Sequence, residues 1–394
     1  MSVTGIICEY DPLHTGHAWL MARAREAGAS AVVCAMSGNF TQRGGFAAAD
    51  KLARAEMAVA CGADLVLELP TVWAMSTAER FARGGVEVLT RTGVVTELLF
   101  GSESGDMAAL TRCADCLDSE DLTAALAAVP EDGRTFAARR QQAVEALLGP
   151  ADAVLLASPN NTLAVEYLRA IRRLKSPLTA RTVRRTGAQH GEAPCGGFAS
   201  ASYLRQLLAA GETEQAAVYM PPAAADILRR QRAAGRLTDP RLCERAILAR
   251  LRTMEPEDWR RLDGGGEGLY RRVYRAVQEG GSLGDILTRA TTKRYPTARV
   301  RRMLWAVFLG LEAPGEDIPY VRILAATEAG RRLLRQMQNA DAPVLTKAAD
   351  VGRLGPSAEA LFTREARRTD VYALACPGSP LPCGSDWRRT PTMI

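Results

Sequence analysis

The stretch Gly5-Ile6-Ile7-Cys8-Glu9-Tyr10-Asp11-Pro12-Leu13-His14-Thr15-Gly16-His17 decides how the rest of the chain is read. Gly5 to Tyr10 is β-branched and alternating enough to predict a strand. Asp11-Pro12 breaks it, and His17 to Glu26 has the composition of the helix that follows. A strand, a tight turn and a helix bring backbone N–H groups and a positive helix end to the strand's carboxyl edge, where phosphate binds readily. His14 and His17 lie three residues apart at the helix start, with Gly16 between them for close approach of a ligand. A lone histidine there reads as a cap or a surface residue. Two of the chain's three histidines in one such turn point to a ligand site.

Outward from this turn, Ala31 to Met36 reads as a second buried strand and Ser37 to Gly45 as a polar loop. A helix over Ala49–Cys61, a strand at Leu65–Leu69 stopped by Pro70, a helix over Ser76–Arg91 and a strand at Glu97–Phe100 follow. Strands alternating with helices at this spacing predict parallel βαβ units: an α/β, doubly wound parallel sheet of Rossmann-like type. Its ligand crevice lies beyond the carboxyl ends of the strands, where the turn after the first strand, Ser37 to Gly44 and Gly101 to Glu103 should converge. Met107 to Leu148 reads as helical. Ala153 to Ala157 reads as a further short strand, with Asn161 or its neighbour capping a helix over Leu163–Leu174. Thr182 to His190 reads as a strand and loop holding the third histidine, and Gly191 to Gly197 as the domain boundary.

At 394 residues the chain is long enough for two domains. The division expected is 1–195 for catalysis, 196–375 for a mainly helical, arginine-rich domain, and 376–394 for a loose tail rich in proline and glycine. An apolar content of 47% excludes wholesale disorder. The net charge of +6 permits a polyanionic partner without requiring one. Nine scattered cysteines, several in apolar runs, fit reduced intracellular thiols better than a disulfide framework. Cys113-Ala114-Asp115-Cys116 lacks the second pair a zinc site needs, so two partly buried thiols are the better reading and no metal site is assigned. With no leader and no membrane-length apolar run, the expectation is a soluble, cytoplasmic protein. Oligomeric state is not readable.

Basic residues cluster at Thr292-Lys293-Arg294-Tyr295-Pro296-Thr297-Ala298-Arg299-Val300-Arg301-Arg302. Such a run usually marks only a solvated helix face. Here Tyr295 interleaves the cations and a helix opens at Thr297, which suits backbone phosphates and base stacking. Lys293, Arg294, Tyr295, Arg299, Arg301 and Arg302 are therefore candidates for RNA contact.

His14-Thr15-Gly16-His17 after a first strand resembles the His-x-Gly-His signature of the nucleotidyltransferase superfamily that includes class I aminoacyl-tRNA synthetases. Longer blocks narrow it. These are Glu9 to His14, Met36-Ser37-Gly38-Asn39-Phe40-Thr41-Gln42-Arg43-Gly44, Asp50 to Met57, Asp64 to Pro70, Phe100-Gly101-Ser102-Glu103, Ser158-Pro159-Asn160-Asn161, Thr292 to Tyr295 and Tyr320 to Leu324. Together, from Gly5 to about Tyr372, they resemble the tRNA(Met) cytidine acetate ligase family.

That resemblance implies formation of N4-acetylcytidine at the wobble position of elongator tRNA(Met) from acetate and ATP. It implies ATP contact along Ile7, Cys8, Glu9, Tyr10, Asp11, Pro12, Leu13, His14, Thr15, Gly16, His17, Ala18, Trp19 and Leu20. Gly101, one of Asn160 and Asn161, and one of Arg184 and Arg185 join them, with Asn161 and Arg185 favoured. His14 and His17 are the catalytic candidates, holding the triphosphate as charge shifts to the leaving group. Arg43 and Lys51 are candidate cations for pyrophosphate, and Ser37, Gly38 and Asn39 candidate donors to acetate or adenine, although each also suits a solvated surface or a satisfied turn. Mg²⁺ is expected through the phosphates and water, without protein ligands. The family usually has Asn where this chain has Asp11 and Thr15. Asp11 would put a negative charge near the triphosphate unless a cation sits between them. Two other readings keep part of this picture: nucleotidyl transfer to a small phosphorylated acceptor, and a non-catalytic RNA-binding protein with a relic ATP pocket.

Overall fold

The structure, a computed structural model, describes residues 2–394 except 131–132, 186–196, 263, 265, 313–314, 316, 338–339 and 379–381. Its centre is an eight-stranded sheet. The strands are β1 (Ser2–Cys8), β2 (Ala29–Ser37), β3 (Leu65–Leu69), β4 (Glu97–Ser102), β5 (Thr179–Arg184), β6 (Val321–Ala326), β7 (Val344–Leu345) and β8 (Thr392–Met393). They run in the order β5-β4-β1-β2-β3-β6-β7, with β8 also on β6. β5 through β3 are parallel, and β6 joins β3 antiparallel. The expected doubly wound α/β sheet is present, with an antiparallel edge.

Alternation along the strands divides the core. Val33, Ala35, Leu65 and Leu67 face one side, beneath the helices Ala78–Thr90, Met107–Leu117 and Pro159–Arg173. Val32, Cys34, Met36 and Val66 face the other, beneath helices α1 (Thr15–Glu26) and α2 (Lys51–Ala60) and the helix Pro222–Ala233. Because both faces are covered, β2 and β3 are almost wholly buried and read as continuous apolar runs.

Three expectations need correction. Ala153 to Ala157 is no strand: Gly149-Pro150 opens a helical turn, Pro150–Ala153, that continues as a 3₁₀ turn over Val154–Ala157. Val154 is 56% exposed, so the run has no buried sheet position to occupy. Residues 196–375 are mainly helical as expected but do not stand apart from the sheet, since β6 and β7 join it. The tail is not loose. Asp386 is fully buried, and β8 pairs with β6 through Ala325↔Thr392 and Ala326↔Met393. Proline and glycine there shape a strap whose charges find partners in the core. Thr186 to His190 and all but the last residue of Gly191–Gly197 lie outside the described residues.

The helices of the second half form a third core around Trp259, Val273, Leu304 and Trp305, which also takes in Phe40 and Phe46 of the loop after β2. Gly44, at φ +80°, lets this loop press on the backbone of Arg301 and Arg302, where a Cβ would stand 3.1 Å from Arg302 N. The loop is thus held between the sheet and the helix Thr297–Leu309.

Candidate active site

The chain runs from β1 to β2 and β3 on one side and reaches β4 and β5 on the other, so the topological switch point lies between β1 and β4. At the carboxyl ends of these strands opens a cavity of about 990 Å³. Glu9 and Asp11 enter it after β1, Thr41 to Phe46 after β2, Glu103 after β4, and Arg184 and Arg185 at the end of β5. Three helix starts also converge there: His14 and His17 of α1, Ser158 to Asn160 before Pro159–Arg173, and Ser200 to Ser202 before Ala201–Ala209. Helix N-termini present free N–H groups and a positive dipole end, which favour anions. Among the described residues six arginines line the cavity (Arg43, Arg184, Arg185, Arg205, Arg301, Arg302) against three carboxylates, so the site suits a polyanion.

The two histidines form the N-terminal cap of α1. His14 Nδ1 accepts from Gly16 N–H at 3.1 Å, and His17 Nδ1 accepts from His14 N–H at 3.3 Å. Their rings stack with centroids 3.7 Å apart. Burial, then Arg185 and Arg205, lowers the His14 pKa to about 3, while burial, then His14 and Arg185, holds His17 well below its usual value. Both rings are neutral near pH 7. With Nδ1 spent on a backbone N–H, each ring carries its proton on Nε2 as a donor.

Asp11 is buried, accepting at Oδ1 from Ala48 N–H at 2.6 Å. The cation its charge calls for is Arg205, which donates from Nη1 to Asp11 O at 2.7 Å and stands 3.6 Å from Oδ2. Arg205 lies one turn into the helix Ala201–Ala209, and nothing in the sequence tells which face of that helix meets the turn after β1. Thr15 donates from Oγ1 to Gly197 O at 3.2 Å and from its N–H to Tyr219 O at 2.9 Å.

Of the run Ile7 to Leu20, four residues line the cavity: Glu9, Asp11, His14 and His17. Cys8, Tyr10, Pro12 and Leu13 are buried behind it, Ile7 packs on Gly85, and Gly16 leaves room for the His14 ring. Ala18, Trp19 and Leu20 continue α1 half-buried. Gly101 lies under Arg185, whose Cγ would be 2.9 Å from a Cβ there. Asn160, not the favoured Asn161, lines the cavity. Asn161 is buried and accepts at Oδ1 from Ser104 N–H at 3.1 Å, and Ser158 rather than either asparagine is the helix N-cap.

Other expected contacts are spent inside the protein. Lys51 is buried and donates to Glu68 at 2.7 Å and Asp386 at 2.6 Å, so it is no pyrophosphate ligand in this structure. Ser37 donates to Glu9 at 3.4 Å, and the carbonyls of Ser37 and Gly38 accept from Arg54. Asn39 donates to Thr369 at 3.2 Å and accepts from Lys51 N–H at 2.8 Å. Arg43 does reach the cavity, in the fields of Glu9, Arg205 and Arg301.

In the basic run, Arg301 and Arg302 line the cavity, whereas Lys293 and Arg294 are exposed. Tyr295 is buried, with its hydroxyl donated to Glu267 O and the guanidiniums of Arg294 and Arg299 within 5.7 and 5.6 Å of its ring centre. Arg299 is itself bound to Glu267 Oε2 at 2.9 Å. Tyr295 and Arg299 therefore brace this corner and offer no open stacking platform. Among the described residues no cluster of three or more His, Cys, Asp or Glu side chains is arranged to hold a metal ion, and no helix is long and apolar enough to cross a membrane.

Comparison with known proteins agrees with this geometry. A family model described as HIGH Nucleotidyl Transferase matches residues 1–381. The tRNA(Met) cytidine acetate ligase of Acetivibrio thermocellus is 33% identical over 396 residues, covering 95% of each chain. That of Syntrophomonas wolfei is 33% identical over 412 residues, covering 99% of each. The crystal structures of Thermotoga maritima TmcAL, apo and bound with α-thio ATP, are 29% identical and superpose over the whole of both chains with TM-scores of 0.95 and 0.93. A histidine pair capping α1 at the switch point, in an arginine-lined cavity, on a chain alike from end to end, leaves one assignment: this protein belongs to the tRNA(Met) cytidine acetate ligase family of HIGH nucleotidyl transferases.

Proposed function

We propose that this protein activates acetate with ATP and transfers the acetyl group to N4 of the wobble cytidine of elongator tRNA(Met), in the cytoplasm. The observation that carries this reading is the stacked, neutral pair His14 and His17, each with its Nδ1 taken by a backbone N–H, in a cavity that six of the described arginines line.

In the first step an acetate oxygen attacks the α-phosphorus of ATP, forming acetyl-adenylate and releasing pyrophosphate. No protein nucleophile is required, so the site acts by positioning and by neutralising charge. The Nε2–H groups of His14 and His17 and the helix starts at Ser158 and Ser200 stabilise the triphosphate as negative charge moves to the leaving group. Arg43, Arg185 and Arg205 supply the balancing charge, and Asp11 keeps Arg205 in place. Mg²⁺ would enter with the phosphates, since the described side chains form no cage for it.

In the second step the cytidine amine attacks the mixed anhydride. Its lone pair is delocalised into the ring, so the base must be extruded and held against the anhydride with water excluded. Arg301 and Arg302 at the cavity wall and exposed Lys293 and Arg294 beyond it suit the RNA backbone. The test is acetate-dependent ATP–pyrophosphate exchange without RNA, followed by mass analysis of cytidine in tRNA incubated with the protein. Exchange without acetylated cytidine, or neither, refutes the reading.

A further inference from the structure

The cavity suits anions, yet among the described residues it holds a carboxylate oxygen with no hydrogen-bond partner. Of the three acidic residues that line it among those described, Asp11 is spent on Ala48 N–H and Arg205. Glu103 accepts at Oε1 from Asn160 N–H and Nδ2 and at Oε2 from Asn161 N–H. Glu9 accepts from Gln42 N–H at 2.7 Å and Ser37 Oγ at 3.4 Å, both at Oε1. Its Oε2 has no hydrogen-bond partner among the described residues, and Glu9 lines the cavity. A spare carboxylate oxygen among phosphates and acetate raises the cost of binding them unless it faces a cation or an N–H donor.

The donor that must come to this cavity, on the function proposed above, is the exocyclic amine of cytidine. A carboxylate is the natural acceptor for cytosine N4–H. The histidines cannot serve as bases, because each Nδ1 already accepts from the backbone and each Nε2 carries the proton. We propose that Glu9 is the general base of acetyl transfer, its Oε2 orienting the cytidine amine and taking one of its protons. The N4–C bond forms at the acetyl carbonyl while the bond from that carbon to the adenylate oxygen breaks. The electron pair leaves with AMP, and the amine's proton goes to Glu9 Oε2. Burial, then Asp11, raises the Glu9 pKa against the opposing pull of Gln42 N–H, Arg205 and Arg54, which strengthens it as a base.

Glu9→Gln retains an oxygen for Gln42 N–H and replaces the proton-accepting Oε2 by a neutral amide NH₂. Single-turnover transfer from preformed acetyl-adenylate to tRNA cytidine should fall about 10²- to 10⁴-fold, far more than acetate-dependent ATP–pyrophosphate exchange falls in the same variant. Glu9→Asp should fall between them in transfer and repeats the partition if the glutamine variant does not fold. An equal loss in exchange and transfer would place Glu9 on nucleotide, acetate or Mg²⁺ and overturn the inference. Undiminished transfer by Glu9→Gln would overturn it too, with the proposed function intact. A parent protein that makes acetyl-adenylate but never modifies cytidine would remove the proposed function and this inference together.

Discussion

The cavity around His14 and His17 and the buried network around Asp386 are made from the same side-chain types and end in opposite states. In the network each carboxylate meets two cations, and all of the contacts made by Asp386 fall on Oδ2, leaving its buried Oδ1 without a hydrogen-bond partner among the described residues. Lys51 and Arg322 each meet both Glu68 and Asp386 at 2.6 to 3.0 Å, and Thr369 donates to Asp386 at 3.0 Å. Lys51 and Arg322 outweigh the effect of burial and hold the Asp386 carboxyl well below the usual carboxylate range. In the cavity, cations outnumber carboxylates among the described residues, and the only hydrogen bonds the two histidine side chains make there are those of Nδ1 with backbone N–H groups. A closed network stabilises; an unbalanced one awaits a ligand. Position relative to the strand ends separates them, and the residue types do not.

The largest expected effect breaks the closed side. Asp386→Ala leaves Lys51 and Arg322 facing Glu68 alone and should cost about 3–5 kcal/mol, read by urea unfolding. If stability were unchanged, the strap would be a passive tail after all. Lys51→Met should likewise lower the unfolding midpoint while the folded fraction keeps its exchange activity. Loss of exchange with no loss of stability would return Lys51 to the pyrophosphate.

On the open side, His17→Ala removes one donor and should lower acetate-dependent exchange about 10²- to 10³-fold. Unaffected exchange would sink the site assignment. Arg205→Ala should cost about tenfold in kcat/KM for ATP, because Asp11 is left buried without its cation. Adding Asp11→Asn should restore part of that loss, and no restoration would mean that Arg205 acts on substrate alone.

Acid sensitivity follows from the histidines. The folded pKa of His14, about 3, lies below the ordinary value of 6.5, so the unfolded chain binds the extra proton first. The stability this neutral ring contributes is complete above about pH 6.5 and is lost as pH falls toward 3. His14→Asn should flatten that part of the curve, and an unchanged slope would assign it to the carboxylates. The smallest effect concerns the exposed basic pair. Lys293→Ala with Arg294→Ala should reduce the slope of log affinity for tRNA against log salt by about one for each phosphate no longer neutralised, with exchange unchanged. An unchanged slope would confine RNA binding to the cavity wall.

Much of the site was legible because it is local. The spacing of His14 and His17 across a strand–turn–helix follows from backbone geometry, and the order of strands and helices follows from periodicity. Lys51 and Arg205 were not legible in the same way. Each is a cation on a helix, and only packing decides that one turns inward to Glu68 and the other reaches Asp11. Ala153 to Ala157 shows the same limit, since a short apolar run suits a strand or a helical turn until its neighbours claim the sheet edge.

By itself, then, the sequence determined the strand–turn–helix that carries the two histidines, the parallel sheet and the family, because these rest on local conformation and on long blocks of matching residues. Only the tertiary structure decided which charges stay open. The neutrality of the histidines, the pairing of Asp11 with Arg205, the spare oxygen of Glu9 and the burial of Asp386 all depend on groups brought together from distant parts of the chain. Whether such a charge is satisfied depends on desolvation and on the geometry of its partners, which residue order alone does not encode.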